Sequence, residues 1–388
     1  MAIPQRFTGS EDALHAAAAA ATGLSDFGSQ SEYLPGLNVL LQALDHDGPY
    51  FAAGGREFVF GSLVGVLVSR LMTQRGFAAR PEALARPIVR PLIITGIPRT
   101  GTTALHKLLS VDGQFQGLER WLTAFPMPRP PRESWESNPS YRATVGGIEA
   151  FFAGAPQMRA AHDMVAGDVD ECLEVLKQNF CSNNFGSTFR VPHYDEWWLA
   201  QDEAASYRRF SQVLLLIGSN EPAKPWLLKN PGHIAQLETL LALFPDACIV
   251  QTHRDPVSAL PSLCSVLAQA RALSEGSHVV TTQLGERELN YWHSAALRAV
   301  AVSAARPAQF IDVRNDELHR DPMGVVERIY ARFGYTLSED TARRMQERIA
   351  QDPEGRHGEH RYTLEQFGLN APMIREKFVD YRRRYGFD

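Results

Sequence analysis

Pro91-Leu92-Ile93-Ile94-Thr95-Gly96-Ile97-Pro98-Arg99-Thr100-Gly101-Thr102-Thr103 decides how the rest of this chain is read. Its first five residues form a short apolar run rich in β-branched side chains and ended by glycine, which predicts a buried strand. From Thr102 to Val111 the apolar residues return at helical spacing. A glycine-containing turn between a strand and a helix lets the backbone wrap closely around an anion, while the helix N-terminus adds positive potential. Thr102 and Thr103 are placed to cap that helix and to donate to phosphate oxygens. The spacing of Gly96 and Gly101 fits the G-x-x-x-x-G of a nucleoside triphosphate loop. That loop, however, carries Lys after its second glycine, where this chain has Thr102. The cation is instead inside the loop, at Arg99.

Downstream, the strand-then-helix pattern repeats. Trp226-Leu227-Leu228-Lys229 predicts a short strand, and 233–244 a helix with Ile234, Leu237, Leu240 and Phe244 on one stripe. Ala247 to Gln251 predicts the next strand, with a helix after Pro256, and Phe310 to Val313 the last, followed by helices over about 323–333 and 338–350. Strands alternating with helices imply a parallel sheet with helices on its faces. Upstream, residues 1–90 read as helices over 11–22, 32–46 and 56–75, the last with Phe58, Leu63, Leu67 and Leu71 at helical spacing. Pro126, Pro128, Pro130 and Pro131, with Arg129 and Arg132 among them, form a loop, and 136–220 returns to helical composition. The expected fold is α/β: a P-loop-like parallel sheet flanked by helices, with helical N-terminal and central elaborations. Residues 1–90 are the helical segment packed on the core, and 91–388 the core with a helical insertion at about 130–220.

Composition narrows the function. The 388 residues carry 39 Lys plus Arg against 44 Asp plus Glu, a net charge of −5, which argues against a bulk nucleic-acid partner. No apolar stretch approaches the ~18 residues of a membrane span. The N-terminus MAIPQRFTGSEDALH lacks the basic-then-apolar pattern of a secretion signal. Cys172, Cys181, Cys248 and Cys264 form no C-x-x-C pair, which predicts reduced thiols and a cytoplasmic location. No H-x-x-x-H pair, cysteine cluster or alternating carboxylate run predicts a metal site.

Gly-x-Pro-Arg-Thr-Gly-Thr-Thr resembles the 5′-phosphosulfate loop of the sulfotransferases that use 3′-phosphoadenosine 5′-phosphosulfate (PAPS), in the bacterial branch that carries Arg at the position of Arg99. The resemblance continues at Thr252-His253-Arg254-Asp255-Pro256, with Ser262 eight residues after Arg254. In that family an arginine at a strand end and a serine on the next helix hold the 3′-phosphate. Pro261 before Ser262 leaves Ser258 as an alternative donor. Similar blocks follow at Asp168–Leu176, Trp226–Ile234, Phe244–Ser262, Asp321–Met323 and His357–Leu369. The resemblance implies that Arg99, Thr100, Gly101, Thr102 and Thr103 bind the 5′ end of the donor. It places His357, Gly358 and Arg361 on a late basic loop over the nucleotide. The implied acceptor is a small molecule, lipid or glycan, and no metal is expected.

Sulfuryl transfer needs cations on the leaving phosphate and a base for the acceptor proton. Lys229, ending a strand where active-site groups of open sheets gather, matches the family lysine that touches the transferring group. Glu119, about 20 residues after Arg99 and at the expected end of a further strand, is the first candidate base; its bland alternative is an exposed pair with Arg120. His233, after Lys229-Asn-Pro-Gly, is the second. Glu171 and Glu174, on one helical face, are the third. Two other functions compete. A P-loop kinase would use Asp255 to hold Mg²⁺, and a non-catalytic nucleotide-binding protein would share the fold.

Overall fold

β1 (Leu92–Gly96), β2 (Leu227–Lys229), β3 (Cys248–His253) and β4 (Phe310–Arg314) form one parallel sheet in the order β2-β1-β3-β4. In this computed structural model the described residues are 3–47, 50–156, 158–161, 164–351 and 362–388. β1 and β3 are interior strands and buried at every residue, so neither shows an alternation of apolar and polar positions, and the polar Gln251, Thr252 and His253 that end β3 are buried as well. β4 lies at an edge and is only partly buried, with Phe310 and Val313 inside and Asp312 exposed.

The register sets which residues reach the carboxyl edge. Ile94 pairs with Lys229 on one side and with Val250 on the other, Gly96 pairs with Thr252, and His253 pairs with Arg314. The loops that follow Gly96, Lys229 and His253 therefore leave the same edge of the sheet. The chain passes from β1 to β2 on one side and then to β3 on the other, so this edge has a topological switch point, the usual ligand position in open α/β sheets. Below it, Leu92, Ile94, Val250 and Val313 pack on Leu105, Leu108 and Leu109 of the helix Thr102–Leu109 and on Val325, Val326 and Ile329 of Pro322–Phe333.

The chain divides into two units. One comprises Ile88–Gly117, Ala223–Val266 and Val280–Asp388 and contains the sheet; the other comprises Met1–Pro87, Leu118–Pro222 and Leu267–Val279 and is helical. In the helical unit, Glu11–Thr22 packs along Gly55–Ala79. A buried guanidinium, Arg70, ties that long helix to Asn179 Oδ1 at 2.6 Å, to the carbonyl of Phe27 at 2.6 Å and to Glu32 at 3.1 Å. Each polar group of that buried arginine finds a partner, as burial of a charge requires. Among the described residues no helix is long and apolar enough to cross a membrane.

Two local expectations change, the helix over 233–244 and the strand before Glu119. The 233–244 helix is a tight turn, Pro231–Ala235, and a shorter helix, Leu237–Leu243. The Asn230 side chain accepts from Gly232 N–H at 3.2 Å and fixes that turn. The helix Pro256–Glu275 runs through Pro261 without a break. Residues leading to Glu119 form no strand. They make two isolated bridges to different partners, Gln116 with Trp226 and Glu119 with Val169.

Candidate active site

Backbone geometry at 96–101 explains its residues. Gly96 has φ +147°, and a Cβ there would sit 2.4 Å from the Thr252 carbonyl oxygen of the neighbouring strand. Gly101 has φ +94° and starts the helix Thr102–Leu109 with no side chain capping it, so Thr102 and Thr103 do not play the capping part expected of them. Arg99 adopts φ +69°, a left-handed conformation that costs a residue with a Cβ about 1 kcal/mol or more. Strain of this kind is maintained where the side chain or backbone must point one way.

Arg99 Nε donates to Ser262 Oγ at 3.1 Å, and Arg254 Nη1 donates to the Arg99 carbonyl at 3.2 Å. The two loops singled out in the sequence are thus joined residue to residue, across more than 150 positions. Ser262 is buried and faces Arg99, whereas Ser258 is exposed. Thr100 is fully buried, and its hydroxyl bonds Ile97 O at 2.7 Å and Thr252 Oγ1 at 2.5 Å. That leaves its backbone, not its side chain, for a ligand.

Lys229 is 2 % exposed at the end of β2, with Nζ 3.1 Å from Thr103 Oγ1. Near it is His106, whose imidazole is pushed well below its ordinary range by burial and by the Lys229 charge. His233 is fully buried in the turn Pro231–Ala235, and burial alone lowers its imidazole to about 3. Asp255 is paired not with Arg254 but with Arg382, whose Nη1 reaches both carboxylate oxygens at 2.7 and 2.8 Å. An aspartate held this way is poorly placed to be a Mg²⁺ ligand. His357, Gly358 and Arg361 lie outside the described residues.

Glu119 belongs to the helical unit. It is buried and accepts from Arg129 Nε at 3.0 Å. The expected pairing with Arg120 is not made, because Arg120 binds Asp170 at 3.0 Å. Burial raises the Glu119 carboxyl above the usual carboxylate range, and the Arg129 charge works against that rise. Arg129 itself is fixed by its own backbone, with N–H to Ile217 O at 2.8 Å and its carbonyl accepting from Asn220 at 2.9 Å. The Asp168–Leu176 block now has a task. Arg120 N–H bonds Asp168 O, Asp170 N–H bonds Leu118 O, and the Asp170 carboxylate grips Arg120, so the block holds the Glu119 backbone on both sides. Glu174 is engaged by Lys177 at 2.7 Å.

Sequence reasoning missed Arg129 and Asp170 as partners. The available signal was an arginine trapped between Pro128 and Pro130, a rigid setting for a charged side chain. Most aromatics of the helical unit are core: Trp121, Phe180 and Tyr194 are fully buried. Among the described residues one group could hold a metal ion, His46, Asp47 and His193, also in the helical unit. Asp47 there accepts the His193 backbone N–H at 3.0 Å and ties the end of Leu34–His46 to Pro192–Leu199.

The profile described as Sulfotransferase family matches residues 91–339, well over half of the chain. The omega-hydroxy-beta-dihydromenaquinone-9 sulfotransferase Stf3 of Mycobacterium bovis and of Mycobacterium tuberculosis is 24% identical over 313 residues, covering 77% of this chain and 75% of Stf3. The crystal structure of sulfotransferase STF1 from Mycobacterium tuberculosis H37Rv superposes with a TM-score of 0.87 at 37% identity, covering 97% of this chain and all of that one. Sulfotransferase STF9 from Mycobacterium avium gives 0.89 at 26% identity, over 99% and 98% of the two chains. With a phosphate-loop edge of this form, a family match across the sheet, and a fold shared nearly end to end, this chain belongs to the sulfotransferase family and is a sulfotransferase.

Proposed function

We propose that the chain moves a sulfuryl group from PAPS to a hydroxyl, or an amine, of a small-molecule, lipid or glycan acceptor. The observation that carries the donor assignment is the join of Arg99 to Ser262 and of Arg254 to the Arg99 carbonyl. It puts two guanidinium groups and a buried hydroxyl on one edge, the donor set that a nucleotide with phosphates at two positions asks for. Arg99 and the backbone from Thr100 to Thr103 would hold the 5′-phosphosulfate, and Arg254 with Ser262 the 3′-phosphate.

Lys229 supplies the cation for the bridging oxygen between phosphate and sulfuryl. Charge on that atom grows as the bond breaks, so a fixed cation there stabilises the transition state more than the ground state. Glu119 takes the acceptor's proton. Its raised carboxyl brings its basicity closer to working pH, while the Arg129 charge opposes part of that rise. His233, with a conjugate acid near 3, is too weak a base to compete, and we assign it to packing of the turn after β2. No step of this scheme calls on a metal.

The mycobacterial Stf3 proteins are named for an acceptor with an omega-hydroxyl on a lipoquinone. By extension a hydroxylated lipid is the first acceptor class to try here, in a screen with labelled donor against phenols and glycans. The donor is tested by thermal shift with adenosine 3′,5′-bisphosphate (PAP) and with ATP plus Mg²⁺. PAP should raise the melting temperature in EDTA, and ATP plus Mg²⁺ should not. A shift that needs Mg²⁺ and prefers ATP would overturn the donor assignment.

A further inference from the structure

The last ten residues converge on the loop that carries Arg254. Arg382 Nη1 chelates Asp255 at 2.7 and 2.8 Å, and its Nη2 donates to the Phe387 carbonyl. Asp255 in turn accepts Val257 N–H at 3.1 Å and begins the helix Pro256–Glu275, which bears Ser262. On the other side of Arg254, His253 is fully buried and its ring stacks on Tyr385 at 3.6 Å. Its Nδ1 lies 3.0 Å from the Tyr381 hydroxyl and its Nε2 2.8 Å from Asp312. The Tyr381 hydroxyl also meets the backbone N–H of Arg254. One arrangement of protons satisfies all of these groups: Arg254 N–H donates to Tyr381 Oη, Tyr381 O–H to His253 Nδ1, and His253 Nε2–H to Asp312. Arg314 ties the tail to the end of β4, donating to Tyr385 O at 2.8 Å and to Gly386 O at 2.6 Å.

We infer that the C-terminal helix Val379–Tyr385 and the residues after it form a clasp that positions Arg254 and Ser262 for a phosphate dianion on the nucleotide, with Tyr381 and Arg382 as the positioning residues. This rests on the assignment of Arg254 and Ser262 to the 3′-phosphate. The physical reason is that Arg254 is itself only half-buried and gains no rigidity from burial. Its direction is set by its two neighbours, His253 and Asp255, and both are held by the tail. A guanidinium directed in advance loses less freedom when it meets a phosphate.

The test is calorimetric affinity for PAP and for adenosine 5′-phosphate, which lacks the 3′-phosphate. A residue that merely stabilises the fold would weaken both alike. Arg382→Met should weaken PAP about tenfold or more and leave adenosine 5′-phosphate within about twofold, with Arg382→Lys recovering part of the loss. An unchanged ratio of the two affinities in folded Arg382→Met overturns the clasp. Should that variant not fold, Tyr381→Phe, which keeps the ring and removes the bridging hydroxyl, carries the same test, and an unchanged ratio there overturns it equally. Arg254→Ala separates the two levels. If it fails to collapse the ratio, the 3′-phosphate assignment itself is wrong; if it collapses the ratio and Arg382→Met does not, only the clasp is wrong.

Discussion

The Arg129 charge acts on the ionisation of Glu119 with a definite sign. Burial raises the Glu119 carboxyl and Arg129 opposes the rise, so removing Arg129 removes the opposing influence. A general base works only when deprotonated. In Arg129→Met the acid limb of kcat/KM should therefore move to higher pH, and Arg129→Lys should move it less. A limb that stays put or moves to lower pH would count against Glu119 as the base. Glu119→Gln should cut turnover about 10²–10⁴-fold while PAP affinity stays near wild type. If instead His233→Gln loses activity and Glu119→Gln does not, the two roles must be exchanged. The two loop cations are told apart in the same way. Lys229→Met should slow single-turnover transfer far more than it weakens PAP, and Arg99→Met should impair both, because the 5′-phosphate is charged throughout. A normal single-turnover rate in Lys229→Met would make it a structural partner of Thr103.

At the scale of the elements, the sheet was legible and the site's supports were not. The interior strands bury both faces, and the runs read from Pro91, Trp226, Ala247 and Phe310 begin within one residue of the strands they form. The stretch before Glu119 misled because it pairs once with Trp226 and once with Val169, two partners in different parts of the chain that no local pattern encodes. Arg129, Asp170 and Arg382 were equally hidden. Arg382 and Asp255 are 127 residues apart, and the meaning of the pair exists only after the sheet has brought β3 and the tail together. Gly96 was legible as a turn glycine, but its reason is contact between elements. Gly96→Ala would push a methyl into the Thr252 carbonyl and should cost about 3 kcal/mol by urea unfolding, from overpacking and a strained φ together. A loss below about 0.5 kcal/mol would show that β1 and β3 can part without penalty.

For the whole molecule, the family likeness reaches from the sheet through most of the helical unit, yet the proposed chemistry asks only for a few residues at the carboxyl edge and for Glu119. Glu119, held in the helical unit, owes its raised carboxyl to burial first, with the Arg129 charge opposing the rise. The most direct test of the central claim is the calorimetric affinity of PAP for wild type and for Arg254→Ala, both in EDTA. Loss of a charged hydrogen-bonding group from the 3′-phosphate should weaken binding by ~2 kcal/mol or more, about thirtyfold. An unchanged affinity would contradict the account.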